Sequence, residues 1–159
     1  MKEIATEYSF IKYTELELDD NGSIKQLSIP NKYNVIYAIA INDELVYIGK
    51  TKNLRKRINY YRTAINRKDK TSDSTKSALI HSALKEGSKV EFYARQCFNL
   101  SMTNELGTMT IATIDLEEPL FIKLFNPPWN IQHKKKWCFH MECGTIFKTQ
   151  KRIHNARTF

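Results

Sequence analysis

The chain has 159 residues, of which 42% are apolar, and this size suits one domain with a small appendage. No apolar run approaches the ~18 residues of a membrane span, and the first residues contain no apolar core of a secretory signal. The net charge is +8, and residues 50–76 account for all of it, with ten Lys or Arg against two Asp. This concentration of positive charge suits nucleic-acid phosphate; a solvated helix face is the plainer alternative.

Residues 1–32 are predicted to form a β-hairpin extension. Thr14–Leu18 alternates apolar and charged residues, and Asn21-Gly22 separates it from a second strand-like run that ends at Pro30. An Asn-Gly pair favours a tight hairpin turn because both turn positions need a positive φ.

Two further strand-like runs, Tyr33–Ile41 and Glu44–Ile48, flank a turn at Asn42-Asp43 and are rich in β-branched and aromatic residues. Gly49 is expected to end the second strand, where the chain enters a helix. Asn53 suits the N-cap of that helix, because apolar residues then recur every three or four positions.

This helix is predicted to end near Asn66, before a polar, exposed loop over Lys68–Thr75. Ser74 is a candidate N-cap for a second helix, Lys76–Glu86, and Gly87 suits its C-terminal end.

The rest of the chain predicts one more strand and one more helix. Val90–Cys97 has the composition of a strand, whereas Asn99–Gly107 fits a loop or a short helix. A last helix is predicted over Thr113–Phe125, and Pro127-Pro128 prevents its continuation. Residues 133–159 form a basic tail.

Two tyrosines on consecutive strands carry the functional signal. Val35-Ile36-Tyr37 and Tyr47-Ile48-Gly49 resemble the paired tripeptides of the GIY-YIG nuclease family, with Val35 in place of the usual glycine. Arg57 comes eight residues after the second tripeptide, where the family keeps its catalytic arginine. Tyr61 follows one helical turn later on the same face.

The resemblance extends to the last predicted helix. Glu118 stands where the family places its metal-binding carboxylate, and Asn130 matches the asparagine that closes many such sites, twelve residues later. Helix register leaves both Glu117 and Glu118 open, because each has apolar residues three and four positions further on. The spacing to Asn130 favours Glu118.

The resemblance implies a phosphodiester-cleaving site. Its expected catalytic residues are Tyr37, Tyr47, Lys50, Arg57, Tyr61, Glu118 and Asn130. Arg57 would hold the scissile phosphate, and Glu118 would bind Mg²⁺, for which Mn²⁺ could substitute. Tyr37 is the candidate to orient or deprotonate the attacking water, provided that Lys50 and Arg57 lower its pKa. The sequence does not say which tyrosine takes the proton.

A set of basic residues is expected to bind backbone phosphates of DNA without reading bases. These residues are Lys52, Arg55, Lys56, Arg62, Arg67, Lys68, Lys70 and Lys76. Lys76 is singled out because it is predicted to start a helix, whose N-terminus favours phosphate.

The predicted fold class is α+β: a three-stranded antiparallel sheet flanked by helices, as in the family, with an added N-terminal β-hairpin. The predicted boundaries are 1–32 for the hairpin, 33–132 for the catalytic domain with a basic insert at about 62–76, and 133–159 for a flexible basic tail. The irregular spacing of Cys138, His140, Cys143 and His154 favours such a tail over a zinc site.

The resulting hypothesis is a Mg²⁺-dependent endonuclease that nicks and breaks double-stranded DNA, leaving 5′-phosphate and 3′-hydroxyl ends. Over residues 1–136 the resemblance is to phage members of the family, and it implies degradation of cytosine-containing host DNA in the host bacterial cytoplasm. Three cysteines, an odd number, agree with a reducing compartment. The resemblance also implies a homo-oligomer, with a tetramer as the expected form. The alternatives are a non-catalytic DNA-binding module of the same fold and a structural, subunit-assembly protein.

Overall fold

The computed structural model describes residues 1–64 and 71–133. In chain order the elements are α1 (Lys2–Glu7), β1 (Ile11–Leu16), β2 (Val35–Ile41), β3 (Glu44–Thr51), α2 (Leu54–Ala64), α3 (Ser72–Lys85), β4 (Val90–Gln96), β5 (Asn99–Asn104), β6 (Gly107–Ala112) and α4 (Ile114–Phe125). Four strands form one sheet in the order β1-β4-β2-β3, in which every neighbouring pair is antiparallel. β5 and β6 form a separate two-stranded sheet.

The central strand β2 is an unbroken apolar run, because it lies between β4 and β3 and is buried along most of its length. The turn into β3 has positive φ at Asn42 and Asp43, 49° and 67°, as a type I′ hairpin turn requires. The predicted β2–β3 hairpin is therefore confirmed. The expectation that Gly49 ends the second strand is wrong, because Lys50 and Thr51 continue the pairing with the start of β2.

The sheet has four strands rather than the predicted three, because β1 joins it. β1 pairs with the edge of β4 over most of its length and buries Leu16. The run after the Asn21-Gly22 turn forms a single bridge, from Leu18 to Ile24. The Lys25 amide donates to the Glu17 carbonyl and the Asp19 amide to the Ser23 carbonyl, so the predicted N-terminal β-hairpin is present but much shorter than expected.

Helices α2 and α3 begin at side-chain caps. Asn53 accepts a hydrogen bond from the Lys56 amide at 2.8 Å, which confirms it as the cap of α2. α3 begins earlier than predicted, because Thr71 and Ser74 form a reciprocal capping box. Ser74 is therefore the third residue of the helix rather than its cap, and Lys76 lies in the second turn.

Each face of the sheet carries its own apolar core. On one face, Tyr37 of β2 packs in a buried cluster with residues of α2 and α3, among them Ile58 and Ile80. On the other face, Ile36 packs in a second cluster with Phe121 and Ile122 of α4. Because side chains of a strand alternate between faces, adjacent residues of β2 and β3 reach different layers.

The hairpin β5–β6 occupies a segment that the sequence left open between a loop and a short helix. Leu100 lies opposite Ile111 and Met102 opposite Met109, so four apolar side chains share one face, and all of them are exposed.

Among the described residues, no helix has the length and apolar character needed to cross a membrane.

Candidate active site

Three tyrosines come together where β2, β3 and α2 meet. The hydroxyls of Tyr37 and Tyr61 are hydrogen-bonded at 2.8 Å, and both side chains are fully buried. The Tyr47 ring lies 5.9 Å from the Tyr37 ring, centre to centre. Gly49 faces this group: a Cβ there would come within 2.8 Å of the Tyr37 hydroxyl, so only glycine lets the phenol sit against the β3 backbone.

Arg57 joins this cluster from α2. Its Nε donates a hydrogen bond to the Tyr37 hydroxyl at 3.1 Å, and its guanidinium lies 5.1 Å above the Tyr61 ring. The two terminal nitrogens donate to the carboxylate of Asp73 at 3.1 and 3.0 Å. Asp73 was not identified from the sequence, although an acid among so many basic residues was a usable signal.

Lys76 belongs to this group and not to an open surface. The residue is 9% exposed, and its ammonium lies 4.7 Å above the ring of Tyr47. Burial lowers the pKa of Lys76, while the nearby charge of Asp73 acts in the opposite direction. The structure thus places Lys76 beside the predicted catalytic tyrosines.

Burial controls the ionisation of the tyrosines. It raises the pKa of Tyr37 well above 10, and the opposing charge of Arg57 does not offset it. Burial also raises the pKa values of Tyr47 and Tyr61. The expectation that neighbouring cations lower the pKa of Tyr37 is therefore wrong, and all three phenols carry their protons at neutral pH.

Glu118 forms a second group of charges with Lys50 of β3 and Asp115 of α4. Its carboxylate lies 3.1 Å from the Lys50 ammonium, which also contacts Asp115 at 2.8 Å. Asp115 and, second to it, Glu118 raise the pKa of Lys50 through hydrogen bonds, against the opposing effect of burial. The neighbouring acid, Glu117, instead pairs with Arg95 at 2.8 Å. Helix register did not separate the two glutamates, whereas the structure gives them different partners.

The two groups flank the end of the edge strand β3. Gly49 pairs with Tyr37 on the face of the tyrosine cluster, and the next residue, Lys50, pairs with Ile36 on the face of α4. The negative charge of Glu118 contributes to raising the pKa of Tyr47, so the carboxylate acts electrostatically across the strand.

Asn130 lies away from solvent, against the backbone of β3, and does not face an open substrate site. Its side chain is buried; its Oδ1 accepts from the Ile48 amide at 2.9 Å, and its Nδ2 donates to the Ile48 carbonyl at 2.7 Å. The amide therefore pairs with the outer edge of β3 as a strand residue would. The backbone of Trp129 adds a bond to Val46, which fixes the strand that carries Tyr47 and Lys50.

The predicted DNA-binding residues fall into three sets. Lys52, Arg55 and Lys56 are exposed near the start of α2, and Arg62 is half-buried, with its Nε on Asn59. Lys76 is buried, as described above. Arg67, Lys68 and Lys70 lie outside the described residues, as does the candidate zinc cluster of Cys138, His140, Cys143 and His154.

The Glu118 carboxylate offers the hard oxygen ligands that a divalent cation prefers, and a cation there would share it with the Lys50 ammonium, which lies 3.1 Å away. Within residues 1–64 and 71–133, no three His, Cys, Asp or Glu side chains converge to hold a metal ion. Mg²⁺ keeps several waters and is commonly bound through one or two carboxylates together with phosphate oxygens. Glu118, with a side chain 14% exposed, fits such a one-carboxylate site.

Fold and site together define a nuclease of the GIY-YIG type. The GIY-YIG catalytic domain family matches residues 33–136, and the chain belongs to this family. The chain is similar to a solved structure described as that of the bacteriophage T4 EndoII E118A mutant, with 99% sequence identity. That similarity covers 82% of this chain and 98% of the other, with a TM-score of 0.77.

A more distant solved structure shares the fold. It is the restriction endonuclease HPY188I in complex with product DNA, which is 21% identical over 79% of each chain, with a TM-score of 0.50. At this identity the likeness concerns the fold alone.

Proposed function

We propose that this DNA endonuclease hydrolyses double-stranded DNA with the help of one divalent cation, Mg²⁺ or Mn²⁺, bound by Glu118. The observation that carries the proposal is the placement of Glu118 beside Lys50 of β3 and of Arg57 beside Tyr37 of the neighbouring strand β2. The similar T4 structure is described as an E118A mutant, and residue 118 of this chain is a glutamate.

In the proposed reaction, water attacks phosphorus, the bond from phosphorus to the 3′ oxygen breaks, and a proton passes to that oxygen. The products are a 5′-phosphate and a 3′-hydroxyl. A divalent cation at Glu118 would offset charge on the phosphoryl oxygens and lower the pKa of a bound water. Arg57 binds the non-bridging oxygens and stabilises the negative charge that develops on them.

The tyrosines act as neutral hydrogen-bonding groups in this proposal. Because burial raises the pKa of Tyr37, its phenol keeps its proton and holds Arg57 and Tyr61 in position rather than acting as a base. Tyr61 holds the Tyr37 hydroxyl in place, and the Tyr47 ring lies below the Lys76 ammonium. Lys50 aligns the Glu118 carboxylate through an ion pair at 3.1 Å. Asn130 supports the site indirectly, through the backbone of β3.

The substrate is proposed to be cytosine-containing host DNA in the bacterial cytoplasm during phage infection. Exposed Lys52, Arg55 and Lys56 extend positive charge from the site along α2, which supports backbone binding without base readout.

Supercoiled cytosine-containing plasmid tests this proposal. With Mg²⁺ we expect the chain to nick and linearise the plasmid, and EDTA to abolish both products. We expect Glu118→Gln to lose at least about a hundredfold in nicking rate while its affinity for duplex DNA, measured by fluorescence anisotropy, stays within about twofold.

Glu117→Gln is the matched control, because it makes the same change one residue away and removes a partner of Arg95 instead. We expect it to nick within about threefold of the wild-type rate. Wild-type nicking by Glu118→Gln, or equal loss in both variants, would contradict the assignment.

A further inference from the structure

Asp73 is an acidic residue within the basic segment 50–76. Its carboxylate accepts hydrogen bonds from the guanidinium of Arg57. Two parallel hydrogen bonds, at 3.1 and 3.0 Å, join the terminal nitrogens of Arg57 to both carboxylate oxygens. Both side chains are shielded from solvent, with 29% and 21% exposed. This bidentate, half-buried geometry distinguishes the pair from ordinary surface ion pairs.

With Asp73 bound, Arg57 has no two neighbouring N–H groups free to donate to the same ligand. A guanidinium has five N–H groups, of which Nε–H points at Tyr37 and one on each terminal nitrogen points at Asp73. The two remaining N–H groups lie on opposite edges of the plane, so they cannot bind one ligand together. A phosphate that accepts hydrogen bonds from both terminal nitrogens of Arg57 must displace the Asp73 carboxylate, because the phosphate and the carboxylate use the same two N–H groups.

We propose that Asp73 is a stand-in for the scissile phosphate, a positioning residue that holds Arg57 aligned in the DNA-free enzyme and yields its place when a phosphodiester binds. This inference rests on the proposed function, in which Arg57 binds the phosphate. Asp73 thereby sets the phosphate affinity of the site: it competes with substrate on entry and with the 5′-phosphate product before release.

The displaced carboxylate has another cation within reach. The Lys76 ammonium lies 3.9 Å from Oδ1 of Asp73, one turn further along α3, and its present hydrogen bond is to the Ser72 carbonyl at 3.3 Å. Lys76 is buried, and its contact with Asp73 at 3.9 Å is looser than the two hydrogen bonds that Arg57 makes with the same carboxylate. A small rotation of Asp73 toward Lys76 would free Arg57 without leaving a bare buried charge.

Binding of inorganic phosphate to the full chain, followed by isothermal titration calorimetry, tests this inference. We expect Asp73→Asn to lower the Kd for phosphate about tenfold, because the amide keeps the shape but loses the charged two-point contact. Asp73→Ala should do so at least equally. In the plasmid nicking assay, both Asp73 variants should also have a lower KM for DNA than the wild-type chain. Thermal melting of both variants establishes that α3 is intact.

Two comparisons make the result specific. Glu86→Gln makes the same charge change at the far end of α3 and should alter phosphate Kd by less than about twofold. In an Arg57→Ala background, which should bind phosphate weakly, Asp73→Asn should give no gain. Equal tightening by Glu86→Gln, or a gain that persists without Arg57, would overturn the inference.

The remaining outcomes separate this inference from the proposed function. If neither Asp73 variant binds phosphate more tightly, but Arg57→Ala weakens binding, the stand-in role is wrong and the phosphate role of Arg57 remains. If Arg57→Ala leaves phosphate affinity unchanged, both are wrong.

Discussion

Tyr37 shows how burial decides what a side chain in this site can do. Its hydroxyl makes two hydrogen bonds, one with Tyr61 and one from Arg57, in surroundings that favour the protonated phenol. The phenol therefore links the guanidinium to the second tyrosine and keeps both in register with β3. Its contribution to catalysis should come from geometry rather than from its own charge.

Removing only the Tyr37 hydroxyl tests this role. We expect Tyr37→Phe to reduce the plasmid nicking rate about a hundredfold, because Arg57 and Tyr61 lose a shared partner beside the phosphate. The free energy of unfolding should fall by only about 1 kcal/mol, since the ring and its packing remain. Tyr93→Phe, which removes a buried hydroxyl bonded to Glu91, is the control and should nick normally. A full nicking rate in Tyr37→Phe would show that this hydroxyl is dispensable.

Sequence reasoning at this scale identified residues but not their partners. The resemblance to the GIY-YIG family nominated the tyrosines and the arginine, because its motifs have a fixed order and spacing along the chain. The contacts of Arg57 with Asp73 and of Lys50 with Asp115 join different elements, so no local pattern announces them. The ionisation of Tyr37 likewise depends on burial, which only the assembled fold provides.

At the scale of elements, Glu91 ties the first strand to the sheet. Its buried carboxylate on β4 contacts Lys12 of β1 at 2.6 Å and Lys89 at 2.8 Å, and it accepts from the Tyr93 hydroxyl at 3.1 Å. Burial acts to raise its pKa, but the three hydrogen bonds outweigh it and lower the pKa to about 2. This cluster gives β1 a charged anchor in addition to its backbone ladder.

The depressed pKa of Glu91 predicts a stability change in acid. Because the folded-state pKa lies below the ordinary value of 4.5, the stabilisation is complete above pH 4.5 and is lost as the pH falls toward about 2. We expect Glu91→Gln to lower the free energy of unfolding at pH 7 by about 2 kcal/mol, measured with urea. The wild-type and Glu91→Gln values should converge between pH 4.5 and 2.

Glu17→Gln is the control for that series, because Glu17 and Lys25 form an exposed pair and their loss should change stability little. A constant difference between wild type and Glu91→Gln down to pH 2.5 would exclude Glu91 as the source of the acid transition.

Elements defined by local signals were predictable, and elements defined by distant partners were not. The β2–β3 turn and the cap of α2 depend on a few adjacent residues, and both were predicted correctly. β1 pairs with β4 about eighty residues away, as in the match of Ile11 with Ala94, so its local alternation pointed to the wrong partner. The β5–β6 hairpin is an exception: its strands are adjacent in sequence and alternate apolar residues with Ser and Thr, a strand signal that sequence reasoning missed.

At the scale of the whole molecule, the β5–β6 hairpin exposes a face of large apolar side chains to solvent. Leu100, Met102, Met109 and Ile111 share one exposed face, while hydroxyls on the other face pair across the strands, Ser101 with Thr110 and Thr103 with Thr108. A contiguous apolar face of this kind is typical of surfaces that become buried between subunits. It supports the proposal of a homo-oligomer.

Polar substitution on this face tests the proposal by sedimentation velocity. We expect the wild-type chain to sediment as an oligomer, with a tetramer as the expected form, and the double variant Leu100→Ser/Ile111→Ser to sediment as a smaller species. The control, Ser101→Ala/Thr110→Ala, changes the opposite face and should match wild type. A monomeric wild-type chain, or an unchanged Leu100→Ser/Ile111→Ser oligomer, would contradict this assignment.

The most direct measurement of the central claim is a crystal structure of the wild-type chain with Mn²⁺ and a short DNA duplex, in which anomalous scattering locates the cation. The account expects manganese within about 2.2 Å of a Glu118 carboxylate oxygen, in contact with a phosphate whose other oxygens are held by Arg57. Manganese bound elsewhere, or a phosphate that meets neither Glu118 nor Arg57, would contradict it.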